Sequence, residues 1–210
     1  MLSNNSESHL TPTTKLLTNL SQLKSETPSK TPVVLLTTGS MNPIHKQHYN
    51  NFEIAKRELE SRLSQVKVIA GFISPSQDCY VFGKLVLYRL SKFLNEHDEI
   101  NCNIKVFYLC GSDHFMKTGI SHTLLRHHGF IIVGRNEDDG WIRNIENDLN
   151  RIFDENAWKE SVVVINGEDN NNISSTTIRK ELIHNLSDWE DLCDPKVVEY
   201  IKKNKILTLG

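Results

Sequence analysis

The sequence predicts an α/β protein of the Rossmann-like, doubly wound kind, a parallel sheet with helices on both faces. Three observations carry this. From Thr31 onward, short β-rich runs alternate with segments of helical periodicity. The runs are continuously apolar, as strands covered on both faces are. Every segment that follows a run is rich in Gly, Ser, Asp, Asn or Arg, so polar chemistry collects at the carboxyl ends of the strands, where open α/β sheets bind their ligands.

In chain order, residues 1–31 are rich in Ser, Thr and Asn and lack aromatic residues. They are expected to form a partly disordered tail. Within it Leu16, Leu17, Leu20 and Leu23 recur at helical spacing behind Thr13 or Thr14 as a cap, which predicts a short amphipathic helix lying on the body of the protein. The tail has no arginine and contains Glu7 and Glu26, unlike a mitochondrial leader. Residues 32–210 are expected to form one domain. Its strands are predicted at 33–37, 66–73, 104–110, 130–133 and 162–165, and its helices at 45–62, 85–96, 121–128, 142–153 and 175–185.

Composition narrows the class. With 210 residues, 38% of them hydrophobic and 24% charged, the chain has the apolar material for one ordinary core. Net charge is −2, so no global positive field draws nucleic acid or an anionic membrane, and any anion must be held locally. Cys79, Cys102, Cys110 and Cys193 form no Cys-x-x-Cys pair, which points away from a zinc ribbon or a disulfide framework and toward reduced thiols. No apolar run approaches the roughly 18 residues of a membrane span, and the N-terminus lacks a secretory pattern. A cytoplasmic or nuclear setting is expected. Nothing in the pattern decides for or against a homo-oligomer.

Two stretches carry chemistry. In GSMNPIHKQH, Gly39 permits close backbone approach, Ser40 offers a hydroxyl and Pro43 fixes the turn before a helix begins. The unpaired N–H groups of that helix start attract an anion, usually phosphate. His45 and His48 can then reach one group together. Two surface histidines beside an N-cap would look the same, whereas a zinc site would need an acidic or cysteine partner that is absent at ligand spacing. In NNISSTTIRKEL, Ser174 or Ser175 caps a helix whose first turn carries Thr176, Thr177 and Arg179. Alone, this is also what a well-capped amphipathic helix with Arg179 on its polar side would show.

Together the stretches are more specific. Gly39 to His48 fits a Gly-x-x-x-Pro-x-His-x-x-His loop, and Ile173 to Arg179 fits an Ile-Ser-Ser-Thr-x-Ile-Arg turn at the end of the last strand. In this the chain resembles the nucleotidyltransferase superfamily. Within it, the resemblance is to the nicotinamide/nicotinate mononucleotide adenylyltransferases of the eukaryotic type, which carry Ser-Pro-x-x-Asp-x-Tyr where this chain has SPSQDCY. It runs from about Val33 into the C-terminal DPKVVEYIKKNKIL.

The resemblance implies a function: transfer of AMP from ATP to nicotinamide mononucleotide, forming NAD and pyrophosphate, with Mg²⁺ carried by ATP. It also implies roles. His45, His48 and Arg179 would be catalytic. ATP would meet Gly39, Ser40, His48, Gly111, Asp113, Arg135, Asn171, Ser175, Thr176, Thr177, Ile178 and Arg179. The acceptor would meet Ser40, Met41, Asp78, Tyr80 and Lys84. The acceptor phosphate is already ionised at neutral pH, so catalysis reduces to placing two polyanions in line and stabilising the charge that develops at phosphorus.

The chain departs from the family pattern on the acceptor side. Met41 stands for a usual Phe, Lys84 is the only nearby cation after SPSQDCY, and NEHDEINCNIK and FMKTGISHTLL lack the tryptophans that frame the nicotinamide ring. Trp141, Trp158 and Trp189 lie elsewhere and read as packing residues, with His114, Phe115, Tyr80 and Phe82 as substitutes for the missing rings. Two competing readings follow: a relative that binds or hydrolyses ATP with another acceptor, and a non-catalytic nucleotide-binding protein. His122, His127 and His128 read as surface groups, and His114 as either a surface group or a ligand contact.

Overall fold

A computed structural model describes residues 12–75, 79–118, 122–134, 140–153, 158–166, 173–184, 186 and 188–204. The sheet has five parallel strands, β1 (Thr31–Gly39), β2 (Val66–Pro75), β3 (Lys105–Gly111), β4 (Gly129–Val133) and β5 (Val162–Ile165), in the order β2-β1-β3-β4-β5. The chain reverses its direction of travel across the sheet between β1 and β3. A crevice opens at such a switch point beyond the carboxyl ends of the strands.

The central strands are buried on both faces, and alternation divides their side chains between two cores. Val34 and Leu36 of β1 join Val106 and Ile132 on one face, with Leu87 and Leu94 of α3 (Cys79–Glu96) and Ile145 and Leu149 of α6 (Gly140–Ile152). Leu16, Leu20 and Leu23 of α1 (Thr14–Glu26) enter the same core. Val33 and Leu35 face the other way, onto Ile54, Ala55 and Leu59 of α2 (Lys46–Arg62). The fold is therefore the α/β class that the apolar runs predict.

Two side-chain amides complete backbone bonding that the sheet cannot supply. Between β1 and β2 the register steps from Val33↔Val68 to Val34↔Ala70, leaving Ile69 as an extra residue, a β-bulge. Its carbonyl accepts from Asn19 Nδ2 of α1 at 2.7 Å. Asn95, near the end of α3, accepts from Ile104 N at 2.9 Å and donates to Ile104 O at 3.2 Å, clipping that helix to the entry of β3.

Several boundaries differ from expectation. Helix α3 begins at Cys79, not 85, because Gly83 sits within its early turns and reads as a helix breaker in sequence. After β3 the polar stretch read as a loop opens a short helix, α4 (Ser112–Thr118), followed by α5 (His122–His127). Beyond β5 come α7 (Ser175–Ile183), a 3₁₀ turn (Asp188–Leu192) and α8 (Pro195–Asn204), which enclose a small core of Ile178, Trp189, Cys193 and Ile201. Among the described residues no helix is long and apolar enough to cross a membrane.

Candidate active site

The carboxyl end of β1 turns sharply. Ser40 is exposed, Met41 has φ 42°, and the Asn42–Pro43 peptide is cis. A positive φ at a residue other than Gly, Asn or Asp is a sterically costly conformation that clusters at functional sites. His45 then adopts an extended backbone (φ −139°, ψ 170°) and serves as the N-cap of α2.

The two histidines are one unit. His45 N–H donates to His48 Nδ1 at 3.1 Å, His48 N–H donates to His45 O at 3.0 Å, and the ring centroids are 3.9 Å apart. His45 is buried, and burial holds the pKa of half-buried His48 below the ordinary imidazole value. Since Nδ1 of His48 already accepts a backbone N–H, its proton in the neutral form resides on Nε2. His48 is thus set up as a neutral donor with a fixed tautomer.

Helix α7 supplies the opposite side. Ser174 caps it, its Oγ accepting from Thr177 N–H at 3.1 Å and lying 2.9 Å from the Thr177 hydroxyl. The next residue reaches across: Ser175 Oγ donates to Pro43 O at 2.9 Å, spanning 132 positions of sequence. Arg179 donates to Asn42 O and, at 3.1 Å, to Thr176 Oγ1. The loop carrying the histidine pair and the helix carrying the arginine are therefore hydrogen-bonded to each other through two consecutive carbonyls. Thr176 and Thr177 remain exposed.

At the end of β3, Gly111 is exposed and pairs in register with Val133 of β4, and Asp113 lies exposed in the first turn of α4. Lys84 is exposed on α3. Asp78, Arg135 and Asn171 fall outside the described residues, as does the side chain of Tyr80. Ile178 requires a correction, because its side chain is 0% exposed in the C-terminal core and its N–H bonds Ser174 O at 3.0 Å. Neither group is available to a ligand, so Ile178 anchors α7 instead.

The acceptor side is corrected in part as well. Phe115 is buried in the main core and cannot present a ring to a ligand. Trp158 and Trp189 are core residues, and Trp141 lies against Gly134, where an added Cβ would meet its ring at 1.8 Å. Sequence reasoning also missed a buried polar group at the switch point. Thr38 Oγ1 is 2.6 Å from Tyr108 Oη, which is 3.2 Å from His114 Nε2. The signal was Thr38 and Tyr108, hydroxyls close to the carboxyl ends of two largely apolar strands.

A five-stranded parallel sheet with this order defines a Rossmann-like α/β fold, and two helix starts, one with a histidine pair and one with an arginine turn, are tied together at its carboxyl end. No family model matches the chain. It is 27% identical over 232 residues to the nicotinamide/nicotinic acid mononucleotide adenylyltransferase of Arabidopsis thaliana, covering 88% of this chain and 93% of the plant protein. Over 55 residues it is 47% identical to nicotinamide/nicotinic acid mononucleotide adenylyltransferase 1 of Bos taurus, covering 26% of this chain and 19% of the bovine one. Among solved structures, Plasmodium falciparum nicotinic acid mononucleotide adenylyltransferase complexed with NaAD aligns with TM-score 0.46 and 15% identity, covering 85% of this chain and 98% of that one. Over most of its length the chain is thus similar to the nicotinamide/nicotinic acid mononucleotide adenylyltransferases.

Proposed function

We propose that the protein transfers AMP from ATP to nicotinamide mononucleotide, or to its acid counterpart, releasing pyrophosphate and forming the dinucleotide used in NAD biosynthesis. One observation carries the assignment of the site: Ser175 and Arg179 donate to the carbonyls of the Asn42–Pro43 turn, so the histidine loop and the arginine turn form a single clamp.

In the proposed reaction an oxygen of the mononucleotide phosphate attacks the α-phosphorus of ATP. A new P–O–P bridge forms, the bond from the α-phosphorus to the bridging oxygen breaks, and pyrophosphate leaves with that electron pair. No general base is required. His48 donates from Nε2 to the phosphate under attack, oriented by the His45 N–H on its other nitrogen. His45 supports it, and Arg179 holds the outer phosphates. Gly39, Ser40, Ser175, Thr176 and Thr177 line the phosphate path with N–H and hydroxyl donors, and Gly111 and Asp113 take ribose hydroxyls. Arg135 and Asn171 complete the ATP side, while Met41, Asp78, Tyr80 and Lys84 receive the acceptor.

Among the described residues there is no group of three or more His, Cys, Asp and Glu side chains suited to holding a metal ion. In this reading Mg²⁺ enters with ATP as part of the substrate. A cytoplasmic or nuclear setting, where ATP and reduced thiols are abundant, suits this reading.

The test is purified protein with MgATP, with and without nicotinamide mononucleotide or nicotinate mononucleotide, following dinucleotide, pyrophosphate and free phosphate. Dinucleotide and pyrophosphate in equal amounts, only with acceptor, is the expected result. Phosphate or pyrophosphate released without acceptor would instead favour another acceptor or water, a reading supported by the burial of Trp158 and Trp189 in hydrophobic cores, where neither ring can frame a nicotinamide. ATP binding without any turnover would leave a non-catalytic nucleotide-binding protein.

A further inference from the structure

Outside the phosphate clamp, four elements converge on one oxygen atom. Tyr108 lies in β3 three positions before Gly111 and is 5% exposed. Its hydroxyl is 2.6 Å from Oγ1 of Thr38, the penultimate residue of β1, and 3.2 Å from Nε2 of His114 in α4. The fourth wall is Gly83 of α3, where a Cβ would stand 3.0 Å from the Tyr108 hydroxyl and 3.4 Å from Thr38 Oγ1. The Tyr108 ring is braced edge-on by Phe130 of β4, with centroids 6.0 Å apart.

A buried hydroxyl costs free energy unless bonded, and an apolar trio could fill this space without that cost. Hydrogen bonds add what apolar packing lacks, a set distance and direction. The hydroxyl has one proton, so it can donate to one neighbour while accepting from the other, and both contacts are satisfied together. Each element leads directly to a proposed substrate contact. β1 runs into Gly39 and Ser40, the first turn of α4 carries Asp113, and α3 carries Lys84 next to Gly83.

We propose that Tyr108 is a positioning residue which, with Thr38 and His114, sets the spacing between the α3 wall that receives the acceptor and the α4 turn that receives the nucleotide. The in-line geometry of transfer depends on that spacing. This inference rests on the adenylyl-transfer reading above.

The experiment compares full-length variants by steady-state kinetics with each substrate varied and by amide hydrogen exchange. Tyr108→Phe keeps the ring and removes the oxygen. It should lower kcat about tenfold or more, leave the KM for ATP within about twofold, and speed exchange in the first turns of α3 and α4. His114→Gln can still bond the hydroxyl and should retain kcat within about threefold, whereas His114→Leu should copy Tyr108→Phe. Gly83→Ala should slow turnover alone and lose part of that defect when combined with Tyr108→Phe, which removes the atom the new methyl meets. Unchanged kcat in Tyr108→Phe, equal damage from Gln and Leu at 114, or unchanged exchange would each overturn the proposal. Absence of dinucleotide from the wild-type protein would overturn the adenylyl-transfer reading instead, and exchange would still decide whether Tyr108 holds the two helices in place.

Discussion

His48 is a donor whose direction is set by its backbone. The His45 N–H occupies Nδ1, so Nε2 carries the proton, and burial favours the neutral ring. Replacing His48 by Ala should lower kcat by about 10²- to 10³-fold, the usual cost of one donor to transition-state charge. The lowered pKa also has a sign. A histidine held below its ordinary value is already neutral above pH 7, so kcat/KM should stay level between pH 7 and 9. A decline of about tenfold per pH unit in that range would mean that the cationic form is required. Arg179 is a second point where chemistry and geometry coincide, because its guanidinium spans Asn42 O and Thr176 Oγ1 at once. Lysine cannot bridge two fixed acceptors in this way. Arg179→Lys should cost about 10- to 100-fold in kcat/KM, and the loss should be non-additive with Ser175→Ala, since both act on the same turn. Additive losses from the pair would argue against a single clamp.

At the scale of elements, helix α1 belongs to the structure of the sheet. Leu16, Leu20 and Leu23 are buried in the main core, and Asn19 satisfies the carbonyl left over by the bulge at Ile69. Leu20→Ala should destabilise the fold by about 2–5 kcal/mol and Asn19→Ala by about 1–2 kcal/mol, measured by urea denaturation, with turnover of the folded protein unchanged. Equal stability of the Asn19 variant would mean that water replaces the amide. The strands were legible in the sequence because continuous Val, Leu and Ile runs have few other uses, and α2 because its cap and periodicity agree. Helix α4 was not, since seven residues beginning Ser-Asp-His look like a loop until the strand before them fixes where they start. Helix α3 was read six positions short because Gly83 weighs against a helix, and its reason is visible only in three dimensions, where a Cβ would meet Tyr108 and Thr38. The site followed the same rule. Motif residues adjacent in sequence, such as His45 with His48 or Ser175 with Arg179, could be paired in advance, whereas Thr38 with Tyr108 could not.

For the molecule as a whole, the sharpest pH dependence of stability should come from a group far from the crevice. His128, just before β4, was read as a surface residue but is 5% exposed, with Nδ1 buried and unbonded. Burial, assisted by His127 alongside, lowers its pKa from 6.5 to about 4. In the unfolded chain His128 takes a proton near pH 6.5, while the folded protein refuses it until about pH 4. Stability is therefore full above pH 7, falls through that window by about 2–3 kcal/mol, and levels off below it. His128→Gln should flatten the slope in denaturation midpoints between pH 7 and 4, and a variant with the wild-type slope would assign the acid sensitivity elsewhere. Cys110, whose thiol burial pushes up to about 12, should resist alkylation in the native state throughout this range.

The bond from Ser175 to Pro43 joins positions 132 residues apart. A chain growing from the ribosome exposes the histidine loop long before the helix that braces it has been made. The sheet can begin to assemble from its first strands, but the proposed clamp cannot exist until α7 has emerged. The loop is thus braced only after every strand has been made, and any cut or stop codon ahead of Ser174 should leave a chain with its histidines in place and nothing to close them against.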